Sequence, residues 1–575
     1  MTRFLVRCAS VAIAMALLVV GAWRADARDD EERDNESKNM KLVGFSSLQA
    51  RSTYQPTLHK QMVNGQVRYV IYAGHHTLAG PGEGQAPAGT PALPSFNPLT
   101  GRNEENGVSI VDVTDVRHPK QVFHLPVPNG SGGGAQMVRV CDGSTLPVHD
   151  GKVYMLRSYA SSGGAHEIWD VSNPSSPVGV RTVAGGNPVI GSPVKPVLDS
   201  NGNQIGLAGS LAGTHKSWWE CDTGVAYIVG RRGNDTASGW KGGNHIFVFD
   251  LSNPANPVFL RDWALDGQQP GGAPIPHFGT TVPSIHGPIS TGPAGGAIAA
   301  TGATADRVYF AYGTGSNGVM QVVDRTKLLP PPWGTGIRCG SAASSLTPPA
   351  CNAATGDFKS SEVGRLIMNP DNGAHTSMPH GRITVPDFVS DTGNDDANTT
   401  RDIVVVVSEA TAHFCSEFRH LTFLTDVSDR PGLPGVAGRP QVISTAQTPA
   451  SEGAFCDKGG RFGPHATNEE FGPPFYQKLV FVSYFNAGVR AFDVRDPYNP
   501  DNVAFFIPAV TANTDFRCGP YQGDPNVCRQ VVQTNNVASD DRGCIYIVDR
   551  ANTGLHVLEL EGQAKKNVGD VDCKK

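Results

Sequence analysis

The chain has 575 residues, 17% of them charged, with a formal net charge of −6 and no basic cluster. A mildly acidic chain of this kind lacks the electrostatic footprint of a nucleic-acid binder. Glycine (67) and proline (43) are abundant and no long helical period occurs beyond the N-terminus, which excludes a helical bundle and favours an all-β chain with many turns.

The first 27 residues read as a secretory signal. Arg3 and Arg7 form the basic region, Val11–Val20 the apolar core, and Ala25-Asp26-Ala27 the A-x-A cleavage site. Cleavage removes three Arg and one Asp and moves the charge from −6 to −8. Residues 28–39 read as a charged, disordered linker, 40–562 as the folded domain and 563–575 as a C-terminal tail. No second apolar span follows, so the mature protein is expected without a transmembrane segment, in the periplasm or outside the cell.

One phrase then recurs. It reads V-S-I-V-D-V-T-D-V-R-H-P at Val108–Pro119, I-W-D-V-S-N-P at Ile168–Pro174, F-V-F-D-L-S-N-P at Phe247–Pro254, F-L-T-D-V-S-D at Phe423–Asp429 and A-F-D-V-R-D-P at Ala491–Pro497. Degenerate copies stand at Val319–Asp324 and Leu555–Leu560. A Val/Ile/Tyr-rich strand precedes each copy: Tyr69–Gly74, Val153–Ser158, Val225–Gly230, Val308–Gly313, Ile403–Ser408, Leu479–Tyr484 and Ile545–Asp549. Further short strands flank most pairs, giving about four strands per unit, the count of a propeller blade. The expectation is an all-β, seven-bladed β-propeller. The unpaired strand Lys41–Ser47 would supply the missing outer strand of the last blade and close the ring.

The repeat resembles that of the LVIVD-repeat family of secreted bacterial β-propellers. N-P-S-S-P at Asn173–Pro177, N-P-A-N-P at Asn253–Pro257 and D-P-Y-N-P at Asp496–Pro500 carry the likeness, which spans roughly Lys41 to Leu560. It implies the fold and names no activity. The fourth unit departs from it, with V-V-D-R-T-K-L-L-P-P-P in place of the turn.

The repeat aspartates Asp112, Asp170, Asp250, Asp324, Asp426 and Asp493 lie 58 to 102 residues apart. A bare blade needs about 40–50 residues, so the surplus must form long loop insertions. Ten Cys remain after cleavage, an even number for an oxidising compartment. Expected pairs are Cys339–Cys351, Cys518–Cys528, Cys415–Cys456 and Cys544–Cys573, leaving Cys141 and Cys221 in equivalent places of neighbouring blades. The tract Asp391–Asn398 lacks the ligand spacing of a calcium loop.

Five His fall at one position of the repeat, ahead of the second strand: His59 (T-L-H-K), His215 (G-T-H-K), His286 (S-I-H-G), His380 (M-P-H-G) and His465 (G-P-H-A). In a propeller this position faces the axial channel, so the five imidazoles would form a ring at one channel mouth. A cluster of neutral imidazoles suits Fe, Cu or Zn. Glu469, Glu220, Glu409 and His413 are the expected partners of the ligating rings, since ligating His donate their second N–H to an acceptor. Such a ring is similar in arrangement to the His-ringed carotenoid oxygenases and the selenium-binding protein/methanethiol oxidase group, although no motif matches residue by residue. Two functions are compatible with these residues. One is a metal-dependent oxidoreductase or hydrolase of a small molecule; the other is a non-catalytic propeller that binds a protein or glycan through its long loops.

Overall fold

The computed structural model describes residues 35–76, 94–128, 134–159, 165–185, 198–199, 211–212, 214–232, 239–275, 278, 282–298, 300, 302–338, 357–386, 399–429, 439–569 and 571–574. The signal segment, the Cys339–Cys351 pair and the Asp391–Asn398 tract lie outside the described residues.

The chain is mostly β, and its strands assort into successive four-stranded antiparallel sheets. The first is Thr53–Val63, Gln66–His75, Gly107–Asp112 and Lys120–Pro126. The second to fifth repeat this meander, led by Val138–Asp142, Ser217–Trp219, Ile285–Ser290 and Thr376–Thr384. The sixth and seventh are led by Phe462–Thr467 and Thr534–Ser539 and touch through one pair, Phe485 with Thr534. The last strand of the seventh comes from the other end of the chain: Met40–Ser46 pairs antiparallel with Leu555–Leu560. Residues read as linker join in, because Glu36–Lys38 pairs with Lys38 opposite Phe505 and Glu36 opposite Ile507. The tail is also structured. It forms a helix, Gly562–Val568, and is tied back through Cys573.

The core is layered. Val70, Tyr72, Met155 and Trp169 pack between the first and second sheets. Like clusters fill each following gap, down to Ile71, Val111, Tyr546 and Val557 between the seventh sheet and the first. Sheets covered on both faces need continuous apolar strands rather than alternating ones, which is why Ile403–Val407 reads I-V-V-V-V and is wholly buried. The leading strands also touch in sequence, each against the next, and the seventh returns to the first.

The recurrent phrase is a device for ending a strand. Each repeat Asp turns its Oδ1 back onto the main-chain N–H two residues on, at 2.8–3.1 Å, in Asp112, Asp170, Asp250, Asp324, Asp426 and Asp493. This is the Asx turn, which Asp supports because its short side chain mimics a backbone carbonyl. The following Val or Leu is buried, and its N–H donates to the start of the preceding strand, as Val113 does to Tyr69 O and Leu251 to Gly224 O (both 2.8 Å). The Asn or Asp three residues beyond the repeat Asp makes a second such turn in Asp115, Asn173, Asn253 and Asp496. In the fourth sheet Asp324 keeps this role while capping the helix Arg325–Leu328, so only the second turn is replaced.

Among the described residues four disulfides link Cys141–Cys221, Cys415–Cys456, Cys518–Cys528 and Cys544–Cys573. Cys141–Cys221 joins the second and third sheets. Among the described residues no helix is long and apolar enough to cross a membrane.

The Asx turn gives a direct test. Asp250→Ala should lower stability by about 1 kcal/mol, the net worth of one such hydrogen bond. Asp250→Asn, which keeps the acceptor, should lose much less. Urea unfolding midpoints of both variants measure this; equal losses would show that the acceptor is irrelevant.

Candidate functional site

Imidazoles from four consecutive sheets meet. His215 stands just before the third sheet's leading strand, His286 is the second residue of the fourth's, His375 precedes the fifth's and His465 lies in the sixth's. Their ring centroids run 4.3 Å from His215 to His286, 3.6 Å from His286 to His375 and 4.3 Å from His375 to His465. The other three sheets offer Tyr54, Gln136 and Asn535 at this level. Tyr54 Oη lies 3.1 Å from His215 Nε2 and 3.4 Å from His375 Nε2. Gln136 Oε1 lies 2.6 Å from His215 Nδ1, and Asn535 O lies 2.6 Å from His465 Nδ1.

Local irregularity aims these side chains. Strand pairing slips by a residue at Tyr54, at His286 and at Asn535, and over the stretch containing His465. A bulge of this kind re-aims the side chain it carries and is common beside functional sites.

The tautomers of two rings follow from geometry. A carbonyl only accepts, so His286 Nδ1–H donates to His375 O (3.0 Å) and His465 Nδ1–H to Asn535 O. Each Nε2 is then a bare lone pair, and His465 Nε2 has no hydrogen-bond partner among the described residues. His375 Nδ1 faces the Thr376 hydroxyl at 3.0 Å, which can accept from it. His215 Nε2 and His286 Nε2 are 2.7 Å apart. With Gln136 Oε1 on His215, both nitrogens of His76 would have to accept, from Gln136 Nε2 and Arg550 Nη2, which a neutral imidazole cannot do. With the amide turned over, one hydrogen-bond chain runs from Arg550 through His76, Gln136 and His215 to His286. The proton of His215 then stands in that gap.

Burial holds all four rings uncharged. It brings His215 down to about 3 and depresses His286, His375 and His465 well below the usual 6.5, with neighbouring imidazoles and cations adding to the effect. Glu409 is the nearest carboxylate, with Oε2 3.5 Å from His375 Nε2 and Oε1 3.7 Å from His465 Nε2. Arg461 Nη1 donates to it at 2.8 Å and Arg550 stands at 3.8 Å. Donor atoms of His286, His375 and Glu409 all lie within 4.8 Å of one another.

Two sequence-derived members do not join. His59 lies five residues beyond Tyr54 on the same strand and pairs with Asp142 at 3.1 Å. His380 is buried five residues beyond His375, beside the Tyr476 ring at 5.3 Å. The leading strands of the first and fifth sheets are long, so these His sit further along them than the others. Three expected partners also lie elsewhere. Glu220 is held by Arg325 (2.6 Å), and His413 Nδ1 donates to Cys518 O (2.8 Å). Glu469 binds Lys216 (2.8 Å) and Arg139 (2.5 Å). His75 and His76, at the end of the first sheet's second strand, are buried; His76 accepts from Arg550 Nη2 at 2.6 Å.

The residues missed were Tyr54 and His375. Tyr54 was within reach of counting, because the Asn64-Gly65 turn sets the hairpin register and places Thr53 opposite His75. A cleft of about 590 Å³ is lined by Phe278, Asp371, Glu417 and Phe418 and by none of the four imidazoles. It borders the site through main chain, where Glu409 N donates to Thr314 O (3.1 Å).

No protein-family model matches this chain, and no curated protein is similar to it at a significant level.

Glu469 provides the electrostatic test. Burial alone would raise its carboxyl, but Lys216 and Arg139 outweigh that and bring it down to about 2. Its contribution is therefore present above about pH 4.5 and lost as pH falls towards 2. Glu469→Gln leaves the buried Lys216 and the half-buried Arg139 uncompensated and should cost about 3–5 kcal/mol at pH 7. The gap to wild type should narrow between pH 4.5 and 2 in denaturant unfolding; a gap independent of pH would contradict this.

Proposed function

We propose that the chain is a seven-bladed β-propeller of the LVIVD-repeat kind, exported to the periplasm or beyond, that holds a transition metal at one mouth of its axial channel. The closed cycle of contacts among leading strands and the layered core support the propeller, with each sheet a blade. The signal-like N-terminus and four disulfides support export, since such bridges persist in oxidising compartments.

The observation that carries the metal reading is the convergence of four neutral imidazoles with Nε2 lone pairs turned inward at His286 and His465. His215, His286, His375 and His465 would hold the ion. The Nδ1 atoms of His286, His375 and His465 face His375 O, Thr376 Oγ1 and Asn535 O, the outer contacts that orient ligating imidazoles, and the Gln136 amide holds His215 Nδ1. Imidazole ligands with a nearby carboxylate suit Fe, Cu or Zn. Such an ion supplies redox or Lewis-acid chemistry when a coordination position stays open. His375 and His465 are fully buried while His215 is half-buried and His286 keeps 9% of its surface, so a small molecule would approach from the His215–His286 side. We read the activity as that of an oxidoreductase or hydrolase of a small molecule.

A second reading is favoured by the Phe278–Phe418 cleft, where Phe418 is 72% exposed beside Glu417. A propeller that binds a protein or glycan through its loops would use such a surface, with no metal needed.

Elemental analysis of the purified mature protein decides between them. About one Fe, Cu or Zn per chain is expected. His375→Ala and His465→Ala should lose it, whereas His59→Ala and His380→Ala should keep it. A metal-free wild type that also fails to bind added Fe(II), Cu(II) or Zn(II) would overturn the metal reading.

A further inference from the structure

We infer that Tyr54 is an oxygen ligand of the same centre, a proposal that rests on the metal reading above. Tyr54 opens the first sheet at the slipped position that His286 occupies in the fourth, so the strand directs it to the same point. Its Oη stands 3.1 Å from His215 Nε2 and 3.4 Å from His375 Nε2. Those are separations between ligand atoms sharing one ion. With metal–ligand bonds of about 2.0–2.2 Å, adjacent donors are about 2.9 Å apart at a right angle and about 3.4 Å apart in a tetrahedron. The hydroxyl contacts no carboxylate or carbonyl among the described residues, and its hydrogen-bond partners there are these two imidazoles. The ring is fixed edge-on by His76, His215 and His465, at 5.0, 5.1 and 5.6 Å between centroids, and is almost fully buried. Asn535 Nδ2 holds the Tyr54 main-chain carbonyl at 2.9 Å.

Coordination would break the phenol O–H bond and form an O–metal bond, and the proton would pass to buffer base. The centre would then carry an anionic oxygen beside its imidazoles. Hard anionic oxygen favours the more highly charged or more strongly Lewis-acidic ion, iron(III) or copper(II), over zinc. A phenolate bound to either ion absorbs visible light by charge transfer, whereas imidazole and carboxylate ligands alone do not give that band.

The test uses the mature full-length protein loaded either with Cu(II) or with Fe(II) followed by air, with metal content measured on the same samples. Wild type should show the visible band, and excitation within it should enhance phenolate ring vibrations in the Raman spectrum. Tyr54→Phe, which keeps the ring and every imidazole, should bind metal and lack the band. Metal-loaded wild type without the band or the phenolate vibrations would overturn the proposal and leave the metal reading standing. A band that survives in Tyr54→Phe would overturn it equally. Wild type that binds neither ion but takes Zn(II) overturns the Tyr54 proposal alone, and wild type that binds none of the three fails the metal reading itself. The wild-type Raman spectrum needs no variant, so a misfolded Tyr54→Phe does not leave the question open.

Discussion

The site depends on keeping four imidazoles out of water and uncharged. A protonated imidazole in that cluster would face another ring at 3.6–4.3 Å and the cations Lys216, Arg461 and Arg550 nearby. Charging it would add repulsion to the cost of burial. The protein accepts the rings because each can settle as a neutral tautomer with its outer nitrogen held by a hydrogen bond. The surrounding cations are in turn matched by carboxylates, Arg461 by Glu409 and Lys216 and Arg139 by Glu469.

This arrangement needs a scaffold that brings strand starts from distant parts of the chain to one place. His215 and His465 are 250 positions apart in sequence, and no local structure could join them. The repeated Asx turn provides the means. It ends the third strand of each of the first six sheets and, in all of these but the fourth, pins the following apolar residue under the start of the second, so successive sheets stack with similar geometry. The pairing of Met40–Ser46 with Leu555–Leu560 then ties the two ends of the chain together.

Several elements were legible because their signals are local. The repeat aspartates mark strand ends through a hydrogen bond only two residues long. The second strands stand out as apolar runs because both their faces are covered. Cys518 and Cys528 lie opposite each other in one hairpin, so their short separation was sufficient. The charged stretch near residue 36 was misjudged for the converse reason. Its composition resembles a linker, but Glu36–Lys38 is held by main-chain pairing to an edge strand, which composition does not record.

The candidate site was legible in kind and only partly in register. A histidine preceding the second strand is a visible regularity, and His215, His286 and His465 follow it. His59 and His380 obey the same pattern, yet lie five residues too far along strands that begin earlier. In the fifth sheet a long connection separates the leading strand from its partner, so the pairing of His375 N with Val407 O cannot be counted from sequence. The residue types and repeat by themselves determined a β chain of successive sheets carrying neutral, metal-suited side chains at the strand starts. Only the tertiary structure decided which side chains meet. Strand length and one-residue slips set where each leading strand begins relative to the next, and those depend on packing between sheets rather than on any short stretch of chain.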